Sequence, residues 1–323
     1  MSEKSEWSFP DEVQPKQAEL SFDLERTLNS MVSIRAEIPD DAFTASILGT
    51  DRGGSAVVIR DNVVLTIGYL ITEAHSVWIT TNQGQVVQGY PLAYDQITGF
   101  GLVRALGKLE APPISIGAAA SAKIGDRVLM MSKGGVQHSL MTRLTDKREF
   151  AGYWEYLLDE ALFTAPAHPE WSGAALVNEQ GQLLGVGSLL SQEVSGDENV
   201  HSNMSVPIDL LGPILENLLN TGRSGLAARP WLGLYAGESE GQLMVGGLSA
   251  SGPAEKAGVR QGDLIVDVAG VRVNSLADFL RAVWGLGAAG VRVPLKIGRE
   301  GDLLRLEIKS LDRNDLLKRP QMH

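Results

Sequence analysis

Ser172, in the segment Pro169-Glu170-Trp171-Ser172-Gly173-Ala174-Ala175, carries a hydroxyl that could act as a nucleophile. A serine hydroxyl is a poor nucleophile until a base accepts its proton, so the first question is what base the chain can offer. His168 lies four residues before Ser172, close enough along a loop to approach the hydroxyl. Nothing in the sequence orients its ring, and the plainer reading is a loop histidine hydrogen-bonded to backbone. His75 reads as structural, and His138 and His201 sit in polar loops without partner spacing. The 5 histidines include no His-x-x-x-His pair, so no metal site is expected. There is no cysteine, which excludes disulfides, thiolate nucleophiles and Cys-ligated zinc.

A second candidate is Gly285-Leu286-Gly287-Ala288-Ala289-Gly290, a literal match to Gly-x-Gly-x-x-Gly. A phosphate-binding loop must follow a strand and open a helix, so that its amides face the anion. Here the order is reversed, and the segment reads as a helix-ending turn with no cofactor.

Composition narrows the partners. A net charge of −11 over 323 residues argues against nucleic acid and anionic membranes. No window approaches the ~18 consecutive apolar residues of a membrane span. The opening Met1-Ser2-Glu3-Lys4-Ser5-Glu6-Trp7 lacks the basic and apolar regions of a signal peptide, so a cytoplasmic location is expected.

The positioning elements come next. Residues 1 to about 19 read as an extended arm, and Leu20 to Ser33 as a short helix, together an N-terminal segment 1–44. From Ala45 the texture becomes short β-branched runs broken by glycine, such as 55–59, 63–66, 77–80, 128–131 and 183–186. Many short strands at regular spacing predict an antiparallel barrel or sandwich, so the chain is mainly β. Residues 207–219 have helical apolar spacing and stop at Gly222, which closes a domain 45–222. A Gly/Ser/Ala/Pro linker spans 223–230, a second domain 231–311, and a tail 312–323. The second domain alternates strands with one helix, Ser275 to Trp284, in which Ser275 is the expected N-cap.

The order of these blocks resembles the HtrA (DegP/DegS-like) family of serine proteases. Gly54-Ser55-Ala56-Val57-Val58-Ile59 with Val64-Leu65-Thr66 resembles the family's first barrel strands, and Asp95 to Val103 its aspartate loop. Trp171-Ser172-Gly173 with Leu183-Leu184-Gly185-Val186 resembles the serine loop, and 205–223 the closing helix. Ser251-Gly252-Pro253-Ala254 through Gly262-Asp263-Leu264-Ile265 is very close to a bacterial PDZ signature. The resemblance implies a trypsin-like double β-barrel followed by a PDZ domain.

Position by position, it also implies an altered catalytic site. Tyr69 stands where the family has histidine, Gly99 where it has aspartate, and Ser172 where it has the nucleophile. The oxyanion loop becomes Glu170, Trp171 and Ser172, and Glu170 is expected to bring a negative charge towards the developing oxyanion. Trp171 is expected at the cleft rim. Losing triad members leaves only about 10³ to 10⁴ of rate over water. The reading is therefore a pseudoprotease that binds polypeptide as a scaffold, adaptor or chaperone-like subunit in protein quality control. Its rivals are an active endopeptidase with an unconventional base and a regulatory partner of an active homologue. Trp231, Leu232, Gly233 and Leu234 resemble the loop that captures peptide C-termini, and Phe279 and Val283 are expected in the opposite groove wall. The cluster Tyr153-Trp154-Glu155-Tyr156 reads as packing, or else as an exposed binding patch. The family often forms trimers through N-terminal segments, for which Trp7, Phe9 and Phe22 are candidates here.

Overall fold

Alternation of apolar and polar side chains builds the barrels. In the computed structural model, which describes residues 7–195, 198–239 and 241–319, strand Ser76–Thr81 buries Val77, Ile79 and Thr81 and turns Trp78 outward. Strand Val63–Ile67 is buried on both faces, as a continuous β-branched run should be. The first barrel is closed by six antiparallel strands, Met31–Glu37, Asp51–Arg60, Val63–Ile67, Phe100–Ala105, Val86–Tyr94 and Ser76–Thr81 in that spatial order. Its first strand pairs with two neighbours, Met31 opposite Val57 and Val32 opposite Thr81. The second sheet runs Ala175–Val177, Arg127–Met131, Ser139–Gly152, Tyr156–Ala165, Glu198–Pro207, Gln182–Ser195, and the pairing of the first with the last closes this path too. Leu65, Leu102 and Phe100 are wholly buried in one barrel, and Leu129, Leu162 and Val186 in the other.

Three expectations are corrected here. The barrel begins at Met31, inside the segment expected to be arm and helix. The helix is only Leu24–Leu28, capped by Asp23, because Val32 and Ile34 turn inward with period 2 as strand residues. The extended arm is docked on the barrel, the Phe9 amide donating to Gln137 O at 3.0 Å and Met141 N to Val13 O at 2.8 Å. Residues 207–219 do not make one helix. A short 3-10 turn Ile208–Leu210 is followed by helix Leu215–Thr221, because Pro213 has no N–H to continue a ladder. Gly222 ends it at φ +72, as its type predicts.

A second compact unit comprises Glu149–Asp159 and Leu226–Leu317. Its sheet runs Leu234–Ser239, Gln242–Leu248, Leu264–Val268, Arg292–Arg299, Asp302–Lys309, with Val271–Arg272 paired to Leu264–Val268. Helix Leu276–Trp284 starts at Ser275, whose side chain accepts from Asp278 N, and Gly285 follows its end. The glycine-rich segment is thus a helix-ending turn. The tip Glu149–Asp159, made of the end of strand Ser139–Gly152, the turn 153–155 and the start of strand Tyr156–Ala165, belongs to this unit although it lies within the stretch 45–222. Lys318, in the expected tail, belongs to the barrel unit, and its amide donates to the Glu73 carboxylate at 2.9 Å.

One glycine fixes where the serine loop meets the first barrel. Gly173 has φ +75, and a Cβ there would lie 1.8 Å from Ser55 O. Gly84 has a similar φ of +84 with nothing within 4 Å. Both alanine variants incur left-handed strain of about 1–2 kcal/mol, but only Gly173→Ala adds a backbone clash. Urea unfolding should show Gly173→Ala losing at least about 2 kcal/mol more than Gly84→Ala. Equal losses would mean that the loop is not pressed against the strand.

Candidate functional site

Strand Val63–Ile67 delivers the chain into a 3-10 turn, Gly68–Leu70, which carries Tyr69. The buried guanidinium of Arg52 fixes that turn from below, donating to Tyr69 O at 2.7 Å and Thr72 O at 3.2 Å. Opposite, Ser55 N donates to Ser172 O at 2.8 Å, which seats the serine loop on strand Asp51–Arg60. These backbone contacts bring positions 69 and 172, distant in sequence, face to face.

The Tyr69 hydroxyl lies 2.6 Å from Ser172 Oγ and donates to Ser188 O at 2.9 Å. A phenol has one hydrogen, and a carbonyl can only accept. Tyr69 therefore gives its hydrogen to Ser188, and Ser172 donates its own to the Tyr69 oxygen. Burial pushes the Tyr69 phenol up to about 12, against the pull of the Ser172 hydroxyl, so it stays neutral. A neutral phenol oxygen cannot take the serine proton and keep it. The pair is a closed hydrogen-bond chain with no base in it.

Gly99 supplies nothing further. Its carbonyl accepts from Gly68 N at 2.7 Å, so it does lie against the turn that carries Tyr69. It has no side chain to orient a partner, and it sits at φ +82, a conformation an aspartate adopts only with strain. The nearby Asp95 is used locally, its Oδ2 accepting from Thr98 N and Oγ1, both at 2.8 Å.

Glu170 acts differently from the expectation. Its carboxylate turns towards Ser132 Oγ at 3.3 Å, a hydroxyl that also has His138 O at 3.0 Å and Lys133 O at 3.1 Å within reach of its one hydrogen, and lies 3.9 Å from His138 Nδ1, rather than serving as an isolated charge at the oxyanion position. The obstacle is its backbone: Glu170 N donates to His168 Nδ1 at 2.9 Å. That amide, two residues before the serine, is the one an oxyanion would need. His168 is fully buried, and its Nε2 meets His138 O at 2.9 Å, while burial lowers its pKa and keeps it neutral. Nδ1 must then accept and Nε2 donate, so neither ring nitrogen is available to Ser172 and the backbone-bonded reading of His168 stands. Trp171 is half-buried beside the serine. The arm is used here too: the Trp7 ring packs on His138 at 4.5 Å and Phe9 on His168 at 4.9 Å, edge to face. Phe22 packs against Gly181. These aromatics thus have partners within their own chain.

In the second unit, the loop of Trp231, Leu232, Gly233 and Leu234 does gather a carboxylate. Three successive amides, of Leu232, Gly233 and Leu234, donate to Glu155 Oε1 at 3.2, 2.7 and 3.1 Å. Leu232 N also reaches Oε2 at 3.1 Å. Glu155 was not singled out in the sequence as a site residue. The only local signal is an acidic residue set among Tyr153, Trp154 and Tyr156, and its partners lie about 77 positions away. Phe279 and Val283 are not an open groove wall. Each is 1% exposed, in one buried cluster that also holds Leu157 from the tip. Among the aromatics of the tip, Tyr153 is exposed against Tyr235 and Tyr156 is buried.

Burial pushes the Glu155 carboxyl up from 4.5 to about 7, against the pull of the three amides and of the Arg313 guanidinium. The folded chain therefore keeps this proton to higher pH than the unfolded chain. Its contribution to stability is complete below about pH 4.5 and is lost as pH rises to about 7. Chemical denaturation at both ends of this window should show the wild type losing stability relative to Glu155→Gln, by an amount on the order of 3 kcal/mol. A difference that grows in the opposite direction would contradict burial as the dominant cause.

Comparison with known proteins agrees with this architecture. The trypsin-like peptidase domain family matches residues 54–186, and the PDZ domain family matches 230–310. A probable periplasmic serine endoprotease DegP-like of Chlamydia pneumoniae is 23% identical over 276 residues, covering 80% of this chain and 54% of that protein. A putative serine protease HhoA of Synechocystis is 24% identical over 281 residues, covering 79% and 67%. The chain spans about half the length of the curated DegP-like relatives it matches. Among solved structures, the HtrA-type protease AlgW with tripeptide superposes with a TM-score of 0.54 at 17% identity, covering 95% of this chain and 99% of that one. The serine endoprotease from Yersinia pestis gives 0.53 at 21% identity, covering 91% and 99%. A trypsin-like peptidase domain followed in one chain by a PDZ domain is what this chain has, and in this it is similar to the DegP-like and HtrA-type proteases.

Proposed function

We propose that this HtrA homologue is a catalytically impaired protease that binds polypeptides through their C-termini, as a scaffold, adaptor or chaperone-like subunit. The observation that carries the reading is the hydroxyl chain from Ser172 to Tyr69 to Ser188 O, at 2.6 and 2.9 Å. An acyl transfer at Ser172 needs a group that takes a proton at neutral pH, and a phenol held at about 12 by burial does not. The second requirement, an amide aimed at the oxyanion, is opposed by the bond from Glu170 N to His168. Losing one oxyanion donor costs about 10² to 10³ in rate, on top of the missing base.

Peptide binding is supported from the other unit. The amides of Leu232, Gly233 and Leu234 converge on one carboxylate oxygen, which is the chemistry that reads a C-terminus without any basic side chain. Strand Leu234–Ser239 sits at the edge of its sheet, where an extended peptide adds. The AlgW structure named above holds a tripeptide, in line with this reading.

Two measurements test the two halves. Casein should not be hydrolysed above the background of Ser172→Ala. Turnover that disappears in Ser172→Ala would overturn the impaired reading, whereas turnover shared by both proteins is a contaminant. Fluorescent peptides with an apolar free C-terminus should bind the full chain at least tenfold more tightly than their C-terminal amides, a difference of about 1.4 kcal/mol. Equal binding of acid and amide would mean that the loop does not read C-termini.

A further inference from the structure

The carboxylate loop is occupied by a carboxylate that belongs to the chain itself. Glu155 sits at the turn of the tip Glu149–Asp159 and is 5% exposed. Its backbone has φ +63, a left-handed conformation that is unfavourable for a glutamate and is retained where surrounding contacts dictate it. The residue lies in the hairpin turn 153–155, and from there its side chain meets the three amides. Leu157, two residues on, enters the buried cluster with Leu232, Leu234, Phe279 and Val283. One short segment thus delivers an acid group to the amides and an apolar side chain to the adjoining wall. These are the two features by which a peptide C-terminus would be recognised.

The tip is also clamped from outside. Arg281, on helix Leu276–Trp284, forms ion pairs with Glu149 at 2.5 Å and with Asp159, so a single guanidinium grips both ends of the tip. Tyr153 adds an edge-to-face contact with Tyr235 at 6.2 Å between ring centres. These pairs are partly exposed, and exposed ion pairs contribute little individually. The tip also leaves something unused. Strand Leu234–Ser239 is paired along one side only, with Gln242–Leu248, among the described residues. A bound C-terminus could make the same carboxylate contacts and add a ladder along that free edge.

We propose that the tip Glu149–Asp159 is an internal ligand of the PDZ carboxylate loop, with Glu155 in the place of a terminal carboxylate, and that a polypeptide C-terminus binds by displacing it. The proposal rests on the peptide-binding reading above and adds what guards the site. It assigns Glu155 and Leu157 to the occupant and Arg281 to its clamp. Affinity for free C-termini is then set by two quantities, the contacts of the peptide and the stability of the docked tip. A ligand whose competent site is only fractionally open binds more weakly by that fraction.

The test uses the full chain, a fluorescent peptide with an apolar free C-terminus, and its C-terminal amide. Glu155→Ala should bind the free peptide at least tenfold more tightly than wild type, with Glu155→Gln between them. Arg281→Ala, at the surface, should also gain affinity, by a few-fold. Amide hydrogen exchange at 232–234 should quicken in Glu155→Ala and slow again when peptide is added. Equal affinities in wild type, Glu155→Ala and Arg281→Ala, with the free peptide still preferred to its amide, would overturn the internal ligand and leave the peptide reading intact. Should no variant bind either peptide while the 232–234 amides open in Glu155→Ala, the peptide reading itself falls. Glu155 is then a structural bracket, and the displacement proposal falls with it. If Glu155→Ala does not fold, Glu155→Gln and Arg281→Ala decide the same question, since loss of structure cannot raise affinity.

Discussion

The phenol of Tyr69 owns one hydrogen, and the destination of that hydrogen governs the chemistry around Ser172. Because Ser188 offers a carbonyl, the hydrogen goes there, and the serine must donate to the phenol oxygen. A general base would reverse this direction, drawing the serine proton away as the hydroxyl attacks. Nothing about the placement of Ser172 is unusual: the close approach at Gly173 and the bond from Ser55 N seat the loop on the strand. The fold of a trypsin-like peptidase is retained, and the hydrogen bond at Ser172 Oγ runs towards Tyr69.

The serine loop and the PDZ loop share a physical theme, which is an amide already committed to a partner within the chain. At Glu170 the backbone N–H is taken by a buried neutral histidine, and at 232–234 three N–H groups are taken by a buried glutamate. Buried amides seek acceptors because leaving one unpaired is costly. His168 and Glu155 are the acceptors in the two places. The histidine has both ring nitrogens engaged and its own backbone held by Asn203, which accepts from His168 N at 2.6 Å. The glutamate comes from a hairpin tip whose clamping ion pairs are partly exposed.

Much of the fold was legible in the sequence because it rests on local pattern. Short β-branched runs broken by glycine marked the strands around Val57, Leu65, Ile79 and Leu129, and Ser275 with Gly285 bracketed the PDZ helix. The failures have local causes as well. Pro213 interrupts an apolar spacing that otherwise reads as one helix, and Met31 to Glu37 hides a barrel strand behind a helix-like spacing of Leu24, Leu28 and Met31. The site was legible as positions, since Tyr69, Gly99, Glu170 and Ser172 follow from the resemblance. Its wiring was not. The Glu170 carboxylate turns towards Ser132 and His138, and what holds the turn at Tyr69 is Arg52. The occupant of the PDZ loop is invisible to any window of sequence, because Glu155 meets its amides across about 77 residues. Phe279 and Val283 show the same limit: their spacing places them on one helix face, but Leu157 closes that face.

The central claim is that Ser172 is held as a hydrogen-bond donor and is not an activated nucleophile. Its most direct test is stoichiometric labelling by a fluorophosphonate, which reports the reactivity of the hydroxyl without requiring turnover of a substrate. Intact-mass measurement should find the wild-type chain unmodified after an exposure that fully labels an active HtrA protease handled in parallel. A complete single adduct on wild type, mapped to Ser172 and absent from Ser172→Ala, would contradict the account.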